Sequence, residues 1–181
     1  MRLDLKQNMI VFLDFDGVLN SDEDYYDILT CSCVISREKI SILNRIPRTL
    51  PDVLFVLSTS WRLDSNAVDV QGNAIDVRAI LRTCGFHGKL HEDWRTPHQD
   101  TLHDRKSSAA WIRGDEVLAW LENNNLKHAR YVILDDMPDF HPYQPLVRTN
   151  EKVGLTHKDV DRAIAILTGR AAGDMHCRCS K

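Results

Sequence analysis

Val11-Phe12-Leu13-Asp14-Phe15-Asp16-Gly17-Val18-Leu19-Asn20 is the stretch whose reading decides the fold. It grows out of an apolar run, Met9 to Leu13, that is too brief for a helix and rich in strand formers. Two carboxylates follow two residues apart, Asp14 and Asp16, and Gly17 then breaks the run. Residues i and i+2 of a strand share one face, so the two acids are expected to leave the strand end together. The glycine allows a sharp turn there. Like charges held that close repel, and the arrangement is unfavourable unless a cation or a catalytic task offsets it.

Working outward, the chain alternates strand and helix signals. Ser36 is placed to N-cap a helix carrying Ile40, Leu43 and Ile46, with Pro47 expected to stop it. Residues 52–57 form a continuous apolar run of strand length that ends in Ser58-Thr59-Ser60. Val77, Ile80, Leu81 and Cys84 mark a helical face closed by Gly85. Lys89-Leu90 reads as a short third strand and residues 92–108 as loop. Gly114-Asp115 opens a helix with Val117, Leu118 and Leu121 inward. Arg130 to Leu134 is the next apolar strand and runs into Asp135-Asp136, and Leu146-Val147 is a fifth. Thr156 and Asp159 form a capping box before a last helix closed by Gly169. The pattern predicts an α/β domain with a doubly wound, mainly parallel sheet and helices on both faces. That domain is expected to span residues 1–170, with a small flap over 21–35 and a polar tail over 171–181.

Composition narrows the functional classes. With 43% hydrophobic and 27% charged residues the chain is ordinary globular protein. A net charge of −3 argues against a general nucleic-acid coat, though not against a local basic groove. No apolar run reaches the roughly 18 residues of a membrane helix, and Asp4 and Asp14 interrupt any signal-peptide core. The five cysteines, an odd number, fit a reducing compartment, so a cytoplasmic location is expected. The C-x-C pairs, Cys31 with Cys33 and Cys177 with Cys179, are tighter than usual zinc spacings, and His87, His91, His98 and His103 read as solvated loop residues.

In an open parallel sheet, ligands bind beyond the carboxyl ends of the strands. Asp14/Asp16, Ser58 and Asp135/Asp136 all fall at such ends, and three converging points make a site. In that context Asp14-Phe15-Asp16-Gly17-Val18-Leu19 resembles the first signature of the haloacid dehalogenase-like (HAD) phosphohydrolases. Ser58, with Thr59 as the alternative one residue on, matches the second signature, whose hydroxyl contacts phosphate. Arg113, just before a helix, or Lys106 matches the basic third signature, and Asp135-Asp136-Met137-Pro138-Asp139 matches the acidic fourth. More narrowly, Arg113 to Leu121, then Leu134-Asp135-Asp136, then Val153-Gly154-Leu155-Thr156 resemble the small HAD domains associated with RNA-repair proteins.

The resemblance implies a Mg²⁺-dependent phosphohydrolase of Rossmann-like fold working through an aspartyl-phosphate. Asp14 is then the nucleophile and Asp16 the proton donor and acceptor. Mg²⁺ would be held by Asp14, the Asp16 carbonyl, Asp135 and Asp136. Ser58 and Arg113 or Lys106 would bind the phosphoryl group, beside Gly17 and Thr59, with Asp139 orienting the basic residue. The gaps between signatures leave no room for a large cap, so the site is expected to be open to a bulky phosphorylated partner. Trp61 is placed to stack on a base and Arg62 to meet a flanking phosphate, which suggests a terminal phosphate on a nucleotide or polynucleotide. Rival readings are a protein or small-molecule phosphatase, a phosphotransferase of the same fold, and a phosphate-binding module without turnover.

Overall fold

The computed structural model describes residues 8–21, 35–63, 76–98 and 112–170. Its centre is a five-stranded sheet of β1 (Met9–Leu13), β2 (Leu54–Leu57), β3 (Lys89–Arg95), β4 (Arg130–Asp135) and β5 (Leu146–Arg148), ordered β3-β2-β1-β4-β5. Every neighbouring pair is parallel, as the strand–helix alternation predicts. The middle of the sheet is flush at its carboxyl edge: Leu13 of β1 lies opposite Leu57 of β2 on one side and Leu134 of β4 on the other. The next residue of each strand, Asp14, Ser58 and Asp135, therefore emerges at the same level.

The helices among the described residues are α1 (Arg37–Leu43), α2 (Arg45–Thr49), α3 (Val77–Thr83), α4 (Arg113–Asn123) and α5 (His157–Thr168). Alternation along β1 sends its side chains to opposite layers. Val11 and Leu13 join the core that includes α1, α2, α3 and α5 residues, whereas Ile10 and Phe12 pack with Val117, Trp120 and Leu121 of α4. Helices cover both faces, so the central strand is buried on both sides and reads as an unbroken apolar run. Phe12 meets the Trp120 ring edge-on at 5.4 Å, a favourable quadrupole arrangement.

Several elements depart from their sequence reading. The helix begun at Ser36 divides at Asn44, and Pro47 sits in the first turn of α2 rather than ending a helix. A proline is tolerated there because first-turn N–H groups have no intrahelical partner. The third strand runs on to Arg95, so residues 92–95 belong to the sheet and not to a loop. Its register shifts between Phe55 and Leu57 of β2, and the Trp120 indole of α4 donates to the Asp93 carbonyl at 2.9 Å. On α4 it is Trp120 rather than Leu118 that enters the core. Asp76, unremarked in the sequence, caps α3 by accepting from the Arg78 N–H. Both bonds of the Thr156–Asp159 capping box are present, and Gly169 ends α5 at φ +67°. Both C-x-C pairs, His103, most of the flap (22–34) and the tail fall outside the described residues. Among those residues no helix is long and apolar enough to cross a membrane.

Candidate active site

Main-chain hydrogen bonds lace the strand ends together. The Asp14 N–H donates to Leu134 at 3.0 Å, Ser58 to Leu13 at 2.9 Å and Thr149 to Asp135 at 3.0 Å. The chain turns immediately after Asp14, with Val18, Leu19 and Asn20 N–H groups all directed to the Phe15 carbonyl. Gly17 makes this turn at φ +67°, and a Cβ there would fall 2.5 Å from the Asp136 carboxyl carbon. Glycine is needed twice over, for the left-handed backbone and for the close approach of the acidic turn after β4.

Arg113 organises the floor of the site. Its Nη1 donates to Asp14 Oδ2 at 3.0 Å and to Asp135 Oδ1 at 3.2 Å, and its Nη2 donates to the Ser58 carbonyl at 2.6 Å. Nη2 also lies 3.0 Å from Asp135 Oδ2, an oxygen that is in ion-pair contact yet receives no directed hydrogen bond. Asp139 fixes the start of α4: its carboxylate accepts from the Arg113 N–H at 3.2 Å and its carbonyl from the Gly114 N–H at 3.0 Å. The backbone that carries the guanidinium is thus tied to the loop after β4.

Asp14 is 4% exposed and Asp135 fully buried, and their titration reflects it. Burial raises the Asp14 pKa, opposed by the Arg113 charge, by hydrogen bonds from Arg113 and the Phe15 N–H, and by the nearby Thr59 hydroxyl. Asp135 is pushed up to about 8, first by burial and then by the Asp14 charge, with Arg113 opposing. For Arg113 burial acts downward, but the charges of Asp14 and Asp135 outweigh it and raise its pKa.

Oxygens of Asp14, Asp135 and Asp136 lie within 4.8 Å of one another. Three carboxylates set against one guanidinium leave a formal charge of −2. A hard divalent cation with oxygen ligands fits this donor set, because it neutralises that charge and would direct a bond at Asp135 Oδ2, which receives no hydrogen bond. The Asp16 side chain stands apart from the cluster. It is exposed, and it accepts from Asn20 Nδ2 and from Trp61 Nε1, each at 2.9 Å. Asp14, Asp16, Arg113, Asp136 and Asp139 line one cleft of about 480 Å³.

The remaining predicted residues are placed differently from one another. Trp61 is half-buried with its ring edge on Phe15 at 5.7 Å, and its N–H orients Asp16. Arg62 reaches the same cleft but directs its donors inward, to the carbonyls of Ser58, Thr59, Thr96 and Pro97 and to Glu116 at 2.5 Å. It ties the ends of β2 and β3 to α4. The Ser58 hydroxyl is buried without a hydrogen-bond partner, while the Thr59 hydroxyl faces Asp14 and accepts from the Trp61 N–H at 3.3 Å. Lys106 lies outside the described residues. The burial of Glu116 has no sequence signal, because successive helix positions point about 100° apart and inward-facing Val117 says nothing of its neighbour.

An all-parallel sheet with an Asp-x-Asp turn at its first strand and an acidic pair at its fourth defines a HAD-like α/β domain. The chain belongs to the family of HAD domains in Swiss Army Knife RNA repair proteins, whose family model matches residues 10–160. That span runs from β1 into α5 and includes every described residue of the cleft. Membership implies a phosphohydrolase type of function. No curated protein and no solved structure matches the chain.

Proposed function

We propose that the chain is a Mg²⁺-dependent phosphomonoesterase that works through an aspartyl-phosphate on Asp14, with a terminal phosphate of a nucleotide or polynucleotide as substrate. The observation that carries the reading is the placement of buried Asp14, bridged by Arg113 to Asp135, in one cleft with exposed Asp16. In the first step an Asp14 carboxylate oxygen attacks phosphorus, and the bond from phosphorus to the leaving oxygen breaks. Asp16 gives its proton to that oxygen. Water then attacks the aspartyl-phosphate and passes a proton back to Asp16; the Asp14–phosphorus bond breaks, releasing inorganic phosphate.

Arg113 and the Thr59 hydroxyl are the side-chain donors for the equatorial phosphate oxygens. Thr59 is favoured over Ser58 for this role because its hydroxyl faces Asp14. Trp61 and Asn20 position Asp16, and Arg62 holds the loops in place rather than meeting phosphate. Mg²⁺ would be held by Asp14, Asp135 and Asp136, with the Asp16 carbonyl as a further ligand, and would neutralise charge between nucleophile and phosphate. The phosphorylated nucleic-acid partner is supported by the family's description and by the small gaps between signatures.

Acid-quenched protein, analysed by intact mass during turnover of a phosphomonoester with Mg²⁺, should carry a phosphoryl adduct that maps to Asp14. The adduct should be absent from Asp14→Asn. Release of inorganic phosphate separates hydrolysis from transfer to another acceptor. Absence of both adduct and phosphate release with aryl, mononucleotide and oligonucleotide substrates would overturn the reading.

A further inference from the structure

A second cleft, of about 720 Å³, opens at the carboxyl end of β5 and the start of α5. It shares Asp136 and Met137 with the first, so the two meet at the acidic turn after β4. Its walls carry four basic side chains, Arg148, Lys152, Lys158 and Arg162. In a chain with a net charge of −3, four cations around one cleft are a local reversal of sign.

The three acids of the cleft differ in what they leave free. Asp159 accepts from the Thr156 N–H and hydroxyl in the α5 cap, and Asp136 belongs to the carboxylate cluster. Glu151 is the exposed acid among the cations, and with four cations against three acids the cleft keeps a formal charge of +1. Arg148 gives its Nε to the Asp136 carbonyl at 2.8 Å, which anchors it at the junction of the clefts. Lys158 and Arg162 are exposed and one turn apart on the same face of α5. Met137, 48% exposed, supplies an apolar surface where the clefts join.

We propose that this second cleft binds single-stranded polynucleotide, carrying the phosphodiesters next to a terminal phosphate seated at Asp14. Several cations lining one cleft that meets the acidic turn suit a ligand with anions repeated along its length, which a peptide bearing one phosphate is not. Met137 meets the face of a base or a sugar. The inference rests on the phosphomonoesterase reading for the seating of the terminal phosphate, whereas the groove itself is argued from its own charges.

Binding is measured by fluorescence anisotropy with the full chain as Asp14→Asn, which prevents turnover, and a labelled single-stranded oligonucleotide bearing a terminal phosphate. Adding Lys158→Glu and Arg162→Glu should weaken binding tenfold or more. The log–log salt slope should become shallower by about 1.4, two phosphate contacts at about 0.7 each. Glu151→Gln should tighten binding, and Lys127→Glu, a charge reversal beyond the far end of α4, should stay within twofold. If the double variant does not fold, the singles Lys158→Gln and Arg162→Gln make the same test at smaller amplitude. Unchanged affinity and slope in the variants overturn the proposal, as does an equal loss for a singly phosphorylated peptide. Turnover of an aryl phosphate by the natural chain reports on the catalytic reading separately. Turnover without a groove effect removes only the groove, and a groove effect without turnover removes only the catalysis.

Discussion

Arg113 is the one described guanidinium that contacts both Asp14 and Asp135. Arg113→Ala should lower kcat by about 10²–10³, the range for losing a donor aimed at developing charge. Lys106→Ala should act mainly on KM, and the reverse split in steady-state kinetics would transfer the basic role to Lys106. Asp16 lends itself to a leaving-group test. Asp16→Asn should cost an alkyl phosphate far more rate than an aryl phosphate, whose leaving oxygen needs no proton. Trp61→Phe removes the indole donor to Asp16 while retaining a ring beside Phe15, so it should reproduce that asymmetry in weaker form. Asp135 predicts a pH effect on the metal-free protein. Its folded pKa of about 8 lies above the ordinary value of 3.8, so the folded state binds the extra proton. The contribution is fully present below 3.8 and is lost as pH rises through 8. Melting temperature in chelator should therefore fall across that window, more steeply than in Asp135→Asn, and Mg²⁺ should flatten the fall because it requires the deprotonated carboxylate. At this scale the strand-end placement of Asp14 and Asp135 was legible because each follows an apolar run. Trp61 and Arg62 were not: they lie in a single 3₁₀ turn, Ser60–Arg62, where no side-chain period fixes which way a residue points.

Elements carry the site through two ties. The first is the Gly17 turn pressed against Asp136. Gly17→Ala meets both a positive φ and a filled space, so it should destabilise the fold by about 2–3 kcal/mol in denaturant titration and weaken Mg²⁺ binding by displacing Asp136. The second is the buried pair of Arg62 with Glu116, at 4% and 7% side-chain exposure. Its desolvation makes it a poor source of net stability, but breaking it strands a charge. Glu116→Ala should cost about 3–5 kcal/mol, read as a shift in the unfolding midpoint. Most helix identities were legible from apolar spacing, most strands from the length of their apolar runs, and the caps at Ser36 and Thr156 from residue type. The division at Asn44 was not, because apolar spacing continues across it through Ile46 while the backbone is interrupted. Nor was the length of β3, whose polar residues alternate too weakly to signal a strand and are held there by pairing with β2.

Across the whole molecule, a cation that binds the folded chain at three converging strand-end carboxylates should raise its stability by mass action. Mg²⁺ at 100 times its Kd should add about 2.7 kcal/mol. Asp14→Asn and Asp136→Asn should lose most of that gain in thermal melts, since each removes a negative charge from the carboxylate cluster. Among the described residues the sheet that brings these acids together ends in two outer strands, and their composition bears on how the protein behaves when crowded. The outer strand β3 carries Lys89, Glu92, Asp93 and Arg95, and the Trp120 indole occupies the Asp93 carbonyl. The opposite margin, β5, is only three residues long. A foreign strand approaching either side meets charge, a capped carbonyl or too short a ladder to zip onto. The domain can thus keep its apolar central strands without offering its borders as a template for fibril growth.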